Sequence, residues 1–122
     1  MAVSYKKPTA ADARPAPLAA LQQAFALRGD VRSMTDKNPQ LVPLLLEARQ
    51  HVERVFGSDA PTVLAVVENP ETADSSPELF VYIQTPLPVS AARAKLAQLD
   101  DEWWLDALPR AEGRLNIALE YV

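Results

Sequence analysis

The 122-residue chain fits one domain, and its 48% of hydrophobic residues are enough to bury a core. It contains no cysteine, which excludes a disulfide framework and a thiolate metal site. The net charge of −4 is unevenly spread: residues 1–57 hold eight Lys/Arg against five Asp/Glu, and residues 58–122 hold four against eleven. So acidic a C-terminal half argues against nucleic acid as a partner, because phosphate neutralisation needs clustered Lys and Arg.

Residues 1–16 carry two prolines and no periodicity, so they read as an N-terminal arm, with 17–122 as a single domain. The apolar run Leu18 to Leu27 is short, is broken by Gln22-Gln23 and follows Pro8, Pro15 and Pro17. That pattern argues against a signal peptide or a membrane span and points to the cytoplasm. Pro17 is placed to open a short helix, 18–27, with Leu18, Leu21 and Phe25 on one side and Gly29 as its stop. Arg28-Gly29-Asp30 is accordingly a helix end rather than an adhesion tripeptide, and residues 30–38 are a polar connector.

Asn38-Pro39 offers a cap and a first-turn proline to the next helix. At about 100° per residue, Leu41, Leu44, Leu45, Ala48, Val52, Val55 and Phe56 fall in one arc of roughly 120°, which predicts a helix over 41–56. Gly57-Ser58-Asp59 ends it. His51, the single histidine, lies at the edge of that arc one turn after Glu47. A proton relay is one reading of this pair, and a surface pair contributing a few tenths of a kcal/mol is the simpler one.

Val63 to Val67 and Leu79 to Thr85 are β-rich runs joined by a polar, acidic turn at 71–77, and they predict an antiparallel hairpin. Pro86 and Pro88 then break the sheet. A helix from Val89 or Ser90 to Leu108 follows, halted by Pro109, and Leu115 to Tyr121 alternates as a third strand. The expected fold is α+β, with about three helices packed on a three-stranded sheet in the order α-α-β-β-α-β.

Leu79, Val81 and Ile83 alternate with Phe80 and Tyr82, and Val63 and Val67 with Leu64 and Val66. Both faces of these strands are apolar, as in strands covered twice. The two long helices serve one face. The other needs the short helix 18–27 or a second copy of the chain, and the shortage of cover predicts a homodimer with the second faces of 63–67 and 79–85 at or near the interface.

Both tryptophans lie in Asp100-Asp101-Glu102-Trp103-Trp104-Leu105-Asp106. On a regular helix Trp103 joins Ala92, Leu96 and Leu99 in the core. Trp104 then projects about 100° further round, beside Asp100, onto a rim or a partner. Trp104, Asp100, Asp101, Phe80 and Tyr82 are therefore the candidate partner-binding residues. Helical geometry disperses the acidic run and leaves only Glu102 and Asp106 on a common face, so no metal site is expected. G-x-S-x-G is absent, and glycines occur only at 29, 57 and 113, which allows no phosphate loop. No catalytic residue and no cofactor follows from these patterns.

The sequence reading is thus a small acidic interaction or regulatory module, homodimeric, that binds another protein. An antitoxin-like or immunity-like antagonist of a basic partner is one form of it, carried by charge alone. The alternative is a small-molecule binder or enzyme with a pocket between sheet and helices, using Tyr82, Glu120 or His51.

Overall fold

In a computed structural model, which describes residues 16–68 and 77–122, the apolar arc of 41–56 forms the helix its spacing predicts. The arm at 1–16, apart from Ala16, and the acidic turn at 71–77, apart from Pro77, lie outside the described residues. The chain runs α1 (Ala16–Ala24), β1 (Ala26–Arg28), α2 (Val31–Lys37), α3 (Leu41–Phe56), β2 (Thr62–Val67), β3 (Glu78–Thr85), α4 (Val89–Leu99), a π turn (Asp100–Trp104), α5 (Leu105–Ala111) and β4 (Leu115–Tyr121). Since α4, the π turn and α5 run on without a break, the described residues form an α+β fold with four helices and a four-stranded mixed sheet.

The strand order is β1-β2-β3-β4. The predicted hairpin forms at the centre, where β2 and β3 pair antiparallel with Leu64 opposite Val81. On each side a helical crossover returns the chain in parallel, β1 beside β2 and β4 beside β3.

Two elements correct the sequence expectation. The helix expected at 18–27 ends at Ala24, and the chain extends into β1, where Leu27 pairs with Leu64. The connector 30–38 contains α2, which Asp30 caps by accepting the Ser33 N–H at 3.0 Å while Val31 and Met34 turn into the core. Gly29 links the two with a left-handed φ of +86°, and a Cβ there would stand 3.3 Å from the Val66 Cβ. Arg28-Gly29-Asp30 is therefore a strand end followed by a cap.

The last helix passes through Pro109 to Ala111 instead of stopping at Leu108. So close to the helix end, Pro109 forgoes one backbone bond, to Leu105, and the buried Ala107 and Ala111 hold the final turn in the core. Glu112 and Gly113, both in left-handed conformation, then turn the chain into β4.

Every sheet residue in or against the hydrophobic core belongs to one face: Leu27, Leu64, Val66, Leu79, Val81, Ile83, Leu115, Ile117 and Leu119. Each helix buries side chains in that same core, including Leu21 of α1, and Phe25 just after α1 joins it, although the sequence makes this segment a candidate to cover the opposite face. The domain is two-layered, and among the described residues no helix lies on the second face of the sheet.

Candidate interaction surface

Trp104 does not project as a regular helix would place it. Trp103 and Trp104 are both buried, 8% and 7% exposed, with ring centroids 5.4 Å apart. The cause is the π turn, in which the Leu105 N–H reaches back five residues to the Asp100 carbonyl. One extra residue in the turn shifts the core-facing stripe by one position. Ala92, Leu96, Leu99 and Trp103 complete the first stripe, and Trp104, Ala107 and Ala111 form the second. Trp104 therefore faces the core. Asp100 is half-buried in the turn, and Asp101, Glu102 and Asp106 stay exposed, with Glu102 accepting from Gln98 at 2.7 Å.

His51 stacks on Trp103, centroids 4.7 Å apart and planes 9° from parallel. Its expected partner, Glu47, is instead gripped by Arg110 in a two-pronged pair at 2.6 and 2.9 Å. That guanidinium holds Glu47 below the usual carboxylate range.

Phe80 and Tyr82 lie on the other side of the sheet. Their rings stack on the open face at 5.5 Å, 17° from parallel. The register sets Val63 and Ala65 beside them on β2, Ala118 on β4, and Arg28 on β1. Val63 and Ala65 are themselves buried. Around this apolar centre runs a polar frame. Arg28 crosses above the Tyr82 ring, 5.8 Å from its centroid, and clasps Glu120 at 3.1 and 3.3 Å. Gln84 donates to the same carboxylate at 2.8 Å, and Asn116 donates to Glu78 at 2.6 Å.

The structure thus brings together Phe80 and Tyr82 of the expected contact residues and separates them from Trp104, Asp100 and Asp101, which belong to the helical layer. Sequence reasoning missed Arg28, Gln84, Asn116 and Glu120 as part of this surface. Tyr82 and Glu120 share it, but His51 is across the sheet, so the three residues suggested for a pocket do not converge. Hydrophobic side chains fill the space between sheet and helices. A shallow groove lies elsewhere, between the end of α1 and residues 58–62, where Arg49 is tied to the Ser58 carbonyl at 3.2 Å and to Glu53 at 3.4 Å.

Acid should loosen the two arginine clasps. Arg28, then Gln84, holds Glu120 below the usual carboxylate range, as Arg110 does Glu47. An acid lowered in the folded state stabilises it above the unfolded pKa, and that contribution disappears as pH falls through the folded value. Asp100 has the opposite sign, since burial, and then Asp101, raise it. The urea midpoint is expected to fall between pH 5 and pH 3, modestly because both clasps are exposed, and to fall less in Arg28→Gln/Arg110→Gln.

Fold and surface together define, among the described residues, a two-layer α+β domain with helices on one face of its mixed sheet and none on the other. No family model, curated protein or solved structure matches the chain. Among the described residues no helix is long and apolar enough to cross a membrane.

Proposed function

We propose that the chain is a non-enzymatic protein-protein interaction module, cytoplasmic and homodimeric, that offers the open face of its sheet to a basic partner protein. The observation that carries this reading is the composition of that face. An aromatic pair and small apolar residues occupy its centre, and paired polar side chains ring it, which is the anatomy of a protein interface. Phe80 and Tyr82 supply rigid contact area at the centre, where binding energy concentrates. The choice of a basic partner follows from charge: residues 58–122 carry eleven Asp/Glu against four Lys/Arg, and Glu78 and Glu120 of that half stand on the open face. Antagonism of a basic protein, in the manner of an antitoxin or immunity protein, is the specific form that suits a small acidic domain.

Site-directed photo-cross-linking in cells tests the reading. Benzoylphenylalanine at position 82 is expected to give one discrete protein adduct that Phe80→Lys abolishes. The same group at position 50, on the exposed side of α3, should give none. Absence of an adduct from position 82, or equal adducts from both positions, would remove the open face as the docking surface.

A further inference from the structure

The two edges of the sheet are built differently. β1 is three residues long, and shortness is one way a protein guards an edge. β4 has seven residues, Leu115–Tyr121, with no lysine, no proline and an unbroken register against β3. Its one charge, Glu120, is turned inward to Arg28 and Gln84. Among the described residues no strand meets its outer edge.

Two bonds fix which groups that edge presents. The Leu79 N–H donates to the Arg114 carbonyl at 2.8 Å, and the Val122 N–H donates to the Thr85 carbonyl at 3.1 Å. In a parallel ladder alternate residues of a strand bond to the same neighbour, so the even-numbered residues from 114 to 122 face β3. The N–H and C=O groups of Leu115, Ile117, Leu119 and Tyr121 therefore point away from the sheet. Exposed apolar side chains gather in the same part of the chain. Val89, Leu105, Leu108, Tyr121 and Val122 all belong to the crossover that leads into β4, to β4 itself or to the residue after it.

We infer that β4 pairs antiparallel with β4 of a second copy, about a two-fold axis through Ala118. This register uses all four outward residues. Leu115 meets Tyr121 of the second copy and Ile117 meets Leu119, which gives about eight backbone hydrogen bonds. The helix-side face is then apolar across the junction. On the open face Ala118 lies opposite itself, and Asn116 lies opposite Glu120, so no like charges oppose each other. The strand is its own complement, as a two-fold contact requires. The inference rests on the homodimer proposed above and supplies its interface. Two open faces then lie side by side on one eight-stranded sheet, free for the partner.

Because the chain has no cysteine, single thiols report the geometry cleanly. Across the axis two Ala118 Cα atoms would be about 4.5 Å apart, within disulfide range. Oxidised Ala118→Cys is expected to form a dimer, and Phe80→Cys is not. Ala118→Lys opposes two ammonium groups and should sediment at 13.4 kDa where the parent sediments at twice that mass, with an unchanged circular dichroism spectrum. The inference is overturned by a monomeric parent at micromolar concentration, by a dimer that survives Ala118→Lys, or by cross-linking through Phe80→Cys in place of Ala118→Cys. A monomer would also remove the homodimer but would leave the open face to the position-82 experiment, which does not depend on β4.

Discussion

Replacing Trp104 by alanine is expected to cost about 3–5 kcal/mol of unfolding free energy, as much as Trp103→Ala, when both are measured by urea titration. The two indoles are buried to the same degree and pack on each other. A regular helix would make the losses unequal, because adjacent residues stand about 100° apart and only one can face the core. The π turn removes that inequality by closing one stripe on Trp103 and opening the next on Trp104. A loss below about 1 kcal/mol for Trp104→Ala would show that its ring is not packed in the core. His51 gives a second signal. In Trp103→Ala it loses its stacking partner and the ring-current shift of its imidazole protons should disappear, whereas in Trp104→Ala that contact remains.

Deletion of Asp101 should have an effect of similar size with a different outcome. A π turn is an α-helix with one residue too many, so removing one residue allows a regular helix. Asp101 is exposed and contributes no buried contact. After deletion, Ala92, Leu96, Leu99, Trp104, Ala107 and Ala111 fall on one continuous stripe, and Trp103 moves about 80° off its centre. The variant is expected to fold with a loss near that of Trp103→Ala, about 3–5 kcal/mol, and with one of its two indoles red-shifted in fluorescence. A chain that does not fold, or one with both indoles still buried, would contradict this account of the turn.

What could be read from sequence was what local pattern determines. Helix 41–56 shows itself because seven apolar residues share one arc, and the strands at 62–67, 78–85 and 115–121 show themselves by β-rich composition or alternation. β1 does not: Ala26-Leu27-Arg28 has no β-branched residue, and only pairing with Val63, Leu64 and Ala65 makes it a strand. α2 was hidden by its brevity, with Val31 and Met34 its only large apolar residues. Double apolar alternation in β2 and β3 predicts cover on two sides, yet among the described residues the helices occupy one. Phe80 and Tyr82 partly cover each other, and Arg28 lies above Tyr82, so that face needs no helix to be half-shielded. The aromatic half of the surface was therefore legible. Its polar frame was not, since Arg28 and Glu120 are 92 positions apart and meet only once three strand pairings are in place. The π turn was missed because phase analysis presumes a constant angular step.

The register of the sheet also sets an order of assembly. Val67 meets Glu78 across only eleven positions, whereas Ala26 reaches Val63 across thirty-seven and Leu79 reaches Leu115 across thirty-six. Loop-closure entropy grows with span, so the central hairpin is the least expensive pairing to nucleate and each flank closes later, after its crossover helices have docked. Leu64→Ala and Val81→Ala are then expected to slow folding, while Leu27→Ala and Ile117→Ala on the flanking strands are expected chiefly to speed unfolding, as stopped-flow kinetics would read. The β4 edge, proposed above to pair with a second copy, is on this ordering among the last pieces of the sheet to be laid down.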